Sequence, residues 1–173
     1  DSSLIYLKRE YEVSSAINDL ETSISTLGNI GLLLKKQGRT REALSYCMQA
    51  MQRIKQLPNS NDYYAQLYNN LGGIYQQAKL YPQALASYQE SIRYAQLLGS
   101  APLIMEDYKN IADLYKETGN AKLEAIHLRK YYNLKDSLFN RETTNQLTEL
   151  ESEYQLNKKN TEVVKLDAAL TKQ

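Results

Sequence analysis

The chain of 173 residues has no tryptophan, one phenylalanine, one cysteine, one histidine, three prolines and seven glycines. Each scarcity excludes something. A single cysteine, Cys47, rules out an intramolecular disulfide, and with His127 as the sole histidine the two cannot build a zinc cluster. Gly72-Gly73 is not followed by the Gly-Lys-Ser/Thr that a phosphate-cradling loop requires. No apolar run approaches the ~20 residues needed to cross a bilayer. Lysine and arginine form no block beyond isolated pairs such as Lys35-Lys36 and Lys158-Lys159. With a formal net charge of +1, the chain is far from the basic footprint of a nucleic-acid or anionic-membrane binder. No cofactor, metal, nucleic-acid partner or membrane span within this segment is expected. The chain opens on Asp rather than Met, as expected of a processed or excised chain.

What remains is rich in Leu, Ala, Gln, Glu and Lys, with 42% hydrophobic and 24% charged residues, enough for one domain or a short repeat array with an appendage. No β-rich alternating segment appears, so an all-α chain is expected. The stretch from Tyr68 to Ile92 holds two helical patterns around a tight turn at Tyr81-Pro82. Gly72 sits inside the first, where it costs about 1 kcal/mol relative to Ala, and this predicts a close approach by another helix. Leu71 and Tyr75 share a face of that helix, and Ala84, Tyr88 and Ile92 recur at a spacing of four in the second.

Both neighbours repeat the unit. The earlier hairpin carries Leu27, Ile30, Gly31 and Leu34, then Gly38 as C-cap glycine, Thr40 as N-cap, and the stripe Ala43, Cys47, Ala50 and Met51. The later one begins with Ser100 as N-cap and Pro102 in the first turn. It presents Tyr108, Ile111, Ala112 and Tyr115, closes at Gly119-Asn120, and continues through Leu128, Tyr131 and Tyr132. A helix from about Ser2 to Asn18 reads as the second helix of an incomplete leading repeat. Gly31 to Gly72 spans 41 residues, Gly72 to Ala112 spans 40, and Ala43 to Ala84 spans 41. A hairpin that cannot bury its own stripe, repeated at a fixed period, predicts an α-solenoid of about three repeats plus the partial leading one.

These residues resemble the tetratricopeptide repeat family, whose hallmark is L-G-x-x-Y in the first helix and A-x-x-x-F/Y-x-x-A in the second. Leu71, Gly72, Tyr75, Ala84 and Tyr88 match it, as do Ile30, Gly31, Leu34, Gly38, Ala43 and Ala50, and the resemblance covers roughly Ser25 to Leu138. Two departures stand out. Glu124 replaces the small residue of the third stripe, and the period exceeds the usual 34 residues by six or seven, as in bacterial peptide-receptor and regulator subclasses. The resemblance implies that first helices line a concave surface holding a peptide or protein segment. Asn29, Asn70 and Asn110 fill the position just before the apolar-Gly pair, from which an amide can both donate to and accept from a peptide unit. The same three amides can instead tie neighbouring helices together. Other groove positions carried over are Lys35 and Lys36, then Gln66, Asn69, Gly73 and Gln77, then Glu106, Lys109, Asp113 and Lys116. The chaperone-type carboxylate clamp is not matched, because its places hold Gly28, Leu32, Glu106 and Asn110. Cys47 is expected to be a small buried hydrophobe, His127 a partly exposed helix residue, and the fifteen tyrosines mostly core. No enzyme is expected.

No Gly or Pro occurs between Ala121 and Gln173, so a long charged helix is expected after the array, with the repeat domain over 1–140 and the connector over 141–173. Leu147, Leu150 and Tyr154 fit heptad spacing, as do Val163, Leu166 and Leu170, but the gap of nine between Tyr154 and Val163 breaks the register. The segment LKDSLFNRETTNQLTELESEYQLNKKN resembles the end of the repeat array in bacterial membrane sensors. In those proteins an extracytoplasmic array leads through such a helix to a membrane span and a histidine kinase or helix-turn-helix output. The resemblance implies a ligand-sensing module of a larger signalling or transcription regulator outside the cytoplasm. The alternatives are a structural scaffold or a homodimer joined through the C-terminal helix, and a cytoplasmic location.

Overall fold

The computed structural model describes the backbone of residues 2–170 and the side chains of residues 2–160. Among the described residues the chain forms seven helices and no strand: α1 (Ser2–Ala16), α2 (Leu20–Lys36), α3 (Thr40–Ile54), α4 (Asn61–Gln77), α5 (Tyr81–Leu97), α6 (Ala101–Glu117) and α7 (Ala121–Leu170). Two compact units divide the chain, one up to Tyr132 and one from Asn133 onward.

The first unit is a row of antiparallel hairpins, and its turns are set by backbone handedness. Residues with positive φ occur at Asn18 (57°), Gly38 (74°), Asn59 (54°), Lys79 (60°), Gly99 (65°) and Gly119 (75°), one every 20 or 21 residues. At five of the six, one hydrogen-bond pair closes the preceding helix. At Lys79, for example, Lys79 N–H donates to Gln76 O at 2.8 Å and Leu80 N–H to Tyr75 O at 2.9 Å. Asn enters this conformation at low cost and Gly at none, whereas Lys79 pays about 1–2 kcal/mol to hold it.

Two local expectations need correction, and a third holds in position but not in bonding. The N-cap of α3 is Arg39, not Thr40, which is already helical; Arg39 instead pairs its guanidinium with Glu42 at 2.7 Å across the first turn. Ser100 does sit at the N-cap of α6 but makes no side-chain capping bond. The leading helix stops at Ala16, two residues short of Asn18, because Asn18 turns left-handed and Asp19 caps α2 by accepting from Thr22 N–H at 3.0 Å.

Close approach explains the costly glycines. A Cβ on Gly72 would lie 2.5 Å from the Tyr88 ring, and one on Gly31 would lie 2.7 Å from Cys47 Sγ. Each contact joins the first helix of a hairpin to the stripe of its second. First helices also pack on one another, α2 on α4 and α4 on α6, while α3 and α5 pack on the first helix that follows. The first helices therefore share one continuous face. The apolar core falls into two clusters. One runs from Leu4 through Leu27, Ile30, Cys47 and Ile54 to Leu67, Leu71 and Ile74; the other holds Ala84, Tyr88, Ile111 and Leu114.

In the second unit α7 continues with Thr143, Thr144, Thr148 and Ser152 each donating to the carbonyl four residues back. Phe139, Leu147, Leu150 and Tyr154 are all exposed there. Val163, Leu166 and Leu170 lie outside the described side chains. No helix among the described residues is long and apolar enough to cross a membrane.

Candidate functional site

The shared face of α2, α4 and α6 carries the candidate residues in two clefts. The first, of about 140 Å³, lies between α2 and α4 and is lined by Ser25, Gly28, Asn29, Tyr63, Gln66 and Asn70 with Ile24 and Leu67 beneath. Gly28 keeps it open, since a Cβ there would stand 3.7 Å from Asn70 Nδ2. The second, of about 370 Å³, brings together Lys35, Gly73, Gln77, Asn110 and Asp113 with Gln76, Tyr88 and Glu117. Asn29 and Asn70 thus share one cleft and Asn110 lines the other. Among the described residues none of these three side-chain amides has a hydrogen-bond partner.

The second cleft has a built floor. Tyr88 donates its hydroxyl to Gln76 Oε1 at 2.9 Å, and Gln76 Nε2 donates to Glu117 Oε1 at 2.7 Å, linking α5, α4 and α6. Lys35 is half-buried with its ammonium over Gly73, where any Cβ would collide with it. Desolvation is the main cause lowering its pKa, helped by the like charge of Lys36 and opposed by Glu106. No carboxylate forms an ion pair with Lys35 among the described residues; the ion pairs there are Arg39–Glu42 and Arg93–Glu90. The cleft therefore offers a cation, free amide groups and acceptor oxygens, which suits polar peptide groups.

The remaining candidates lie elsewhere. Lys36, Glu106, Lys109 and Lys116 are exposed and line neither cleft. Asn69 is engaged, donating to Asp107 Oδ1 at 2.8 Å. Gln76, Tyr88 and Glu117 are cleft residues that sequence reasoning missed. Gln76 stands in register with Lys35 and Lys116, and that spacing was a usable signal.

The chemistry-bearing singletons are packing residues. Cys47 is fully buried, and desolvation pushes its thiol up to about 12. His127 donates Nδ1–H to Leu123 O at 2.9 Å, and its ring lies 5.4 Å from that of Tyr115 and 6.3 Å from that of Tyr108. Glu149, Glu151 and Glu153 are exposed, and no group of three metal-ligating side chains occurs among the described residues.

A tetratricopeptide repeat family model matches residues 22–96 and again 63–137, two placements displaced by one repeat. The chain belongs to the tetratricopeptide repeat family. A solved structure similar in fold is that of BtubC (BKLC) from P. vanneervenii, with a TM-score of 0.69 at 18% identity over 80% of this chain. The chain spans 57% of the length of that structure. No curated protein matches. As a tetratricopeptide repeat array, residues 22–137 constitute a protein-interaction module whose first helices present the two clefts.

Proposed function

We propose that the α2–α4–α6 face binds a peptide or protein segment, without catalysis, as the sensing region of a larger bacterial signalling or transcription regulator. The observation that carries the reading is the set of three in-register amides, Asn29, Asn70 and Asn110, unpaired beside the two clefts. A free amide meets a peptide unit whatever the peptide's side chains are, so these groups supply affinity while Lys35, Gln77 and Asp113 supply selectivity. Placement outside the cytoplasm belongs to the same proposal and rests on the resemblance of residues 134–160 to sensor connectors. Selection from a phage-displayed library of random peptides, then titration of recovered peptides, tests it. The double variant Asn70→Ala, Asn110→Ala should lose at least tenfold in affinity while stability moves by less than about 1 kcal/mol. Unchanged affinity would remove the groove reading, and a collapse of stability would make the amides structural.

The exposed side of α7 favours a second reading, homodimerisation. Phe139, Leu147, Leu150 and Tyr154 fall within about 80° of arc at 3.6 residues per turn, and each is more than half exposed. Light scattering on the full chain and on a truncation after Asn140 separates the readings. A dimer lost on truncation supports the α7 interface, and one that survives truncation refutes it.

A further inference from the structure

Between the two apolar clusters lies a buried polar group that the interaction face does not use. Asp107 of α6 is 0% exposed. One of its oxygens accepts from Asn69 Nδ2 of α4 at 2.8 Å, and the other, Oδ2, has no partner. The Ser91 hydroxyl of α5 is a polar neighbour of the carboxyl, but its one hydrogen is given to Ala65 O at 2.9 Å. A buried carboxylate with a stranded oxygen is costly, because water can no longer solvate it. Protonation removes the charge that burial penalises: Oδ1 still accepts from Asn69, and Oδ2 becomes a donor with the Ser91 hydroxyl oxygen as its polar neighbour.

Register shows that packing does not require this charge. Thr26, Leu67 and Asp107 occupy equivalent positions, 41 and 40 residues apart, and all three are buried. Gly28 and Ala50 likewise correspond to Asn69 and Ser91 at 41 residues. The joint between the first two hairpins is thus Gly28, Ala50 and Leu67, and the next is Asn69, Ser91 and Asp107.

We propose that Asn69, Ser91 and Asp107 form a proton-gated joint between the second and third hairpins: protonation of Asp107 locks α6 onto α4 and α5, and ionisation loosens it. Among the described residues no cation offsets the charge. On α5 the titratable neighbour is Tyr88, whose phenol Asp107 helps to push up, after burial as the main cause. On α6 it is Glu106, a like charge, and α4 contributes the neutral Asn69. His127 and Lys130 of α7 face the ring of the neighbouring Tyr108, and Lys35 of α2 interacts with Glu106. Burial, opposed by the nearby Ser91 hydroxyl and the Asn69 hydrogen bond, pushes the Asp107 carboxyl up to about 6 from an ordinary value of 3.8. The folded state therefore holds this proton more tightly than the unfolded chain, and stability falls as pH rises from ~4 to ~6, then levels. Asn110 follows Asp107 by one helical turn, so the second cleft inherits the state of the joint.

Hydrogen exchange on the full chain, corrected for the intrinsic pH dependence of exchange, tests the joint at pH 4.5 and 7.5. In the wild-type chain, protection of α6 amides should rise at least tenfold at the lower pH while α2 and α3 change little. Asp107→Asn, which presents one acceptor and one donor permanently, should show high α6 protection at both values. No pH response of α6 in the wild-type chain, or a response that persists in Asp107→Asn, would overturn the proposal. If that variant does not fold, the triple variant Asn69→Gly, Ser91→Ala, Asp107→Leu installs the first joint's residues in the second. Its α6 protection should not change with pH, and a retained response would count equally against the joint.

Discussion

The two joints of the array solve one docking problem with different materials. At the first, Gly28 and Ala50 carry no polar side chain and Leu67 is buried, and a single apolar cluster runs unbroken from α1 to α4. At the second, Asn69, Ser91 and Asp107 stand in the same places and the apolar cluster stops on either side of them. An apolar joint gains from area removed from water and is indifferent to pH. A polar joint gains little net stability, because each group is compensated for its lost hydration only while its partners are in place. What it gains is a response. The contrast teaches that repeats sharing a backbone and a period need not share stability, and that the third hairpin is the one conditions can move.

The sharpest way to break the comparison is to give the first joint the second's charge. Leu67→Asp buries a carboxylate opposite Gly28, which has no side chain to pair with it. We expect a loss of more than about 3 kcal/mol in urea denaturation at neutral pH. Part should be recovered on acidification, as the new carboxyl protonates. A loss below ~1 kcal/mol would mean that the first joint is hydrated, and the contrast would fail.

Removing the partner rather than adding the charge should cost less. Asn69→Ala strips Asp107 of its remaining donor, with an expected loss of about 2 kcal/mol at pH 7.5. Since that hydrogen bond favours the ionised form, its loss should push the Asp107 carboxyl higher, so the stability lost between pH 4 and 7 should grow. A shallower pH dependence than that of the wild-type chain would contradict the assignment.

Which of these features the sequence discloses depends on whether a residue's reason is local. Gly31 and Gly72 are legible because close approach is written in the residue type: a Cβ at either would press on the Cys47 thiol or the Tyr88 ring. The 41-residue period follows from the same economy. Lys79 is not legible, since its left-handed backbone is imposed by the turn and opposes its own preference. Thr40 misleads for the same reason: the paired bonds after Gly38 start α3 at Thr40 itself, leaving Arg39 at the cap. Asn69 reads from spacing as a groove residue, yet its partner is 38 positions away on another first helix, a pairing that periodicity cannot reveal. The tyrosine default holds for Tyr88 but not for Tyr6 and Tyr154, which are largely exposed.

Within one hairpin the same comparison can be sharpened at Gly72. A Cβ there meets the Tyr88 ring at 2.5 Å, and the ring is held by its hydroxyl bond to Gln76. Gly72→Ala should therefore cost about 1 kcal/mol net, overpacking of 1–3 kcal/mol less the helix gain of replacing glycine. Gly31→Ala should cost less, since the Cys47 thiol is smaller and ends its side chain. Equal losses, measured by thermal denaturation, would mean that ring and thiol yield alike.

The smallest effect should have the opposite sign. Gly28 is helical, carries no positive φ, and an added Cβ would make an ordinary contact of 3.7 Å with Asn70 Nδ2. Nothing in packing calls for glycine there, so Gly28→Ala should stabilise the chain by about 0.5–1 kcal/mol through reduced unfolded-state entropy and better helix propensity. The residue does hold open the cleft that Asn29, Gln66 and Asn70 share. If that cleft receives ligand, the stabilised variant should bind recovered peptides more weakly than the wild-type chain, with melting temperature and affinity moving in opposite directions. If affinity is untouched while stability rises, the glycine is an unused liberty of the first joint, and binding belongs to the cleft around Lys35 and Asn110.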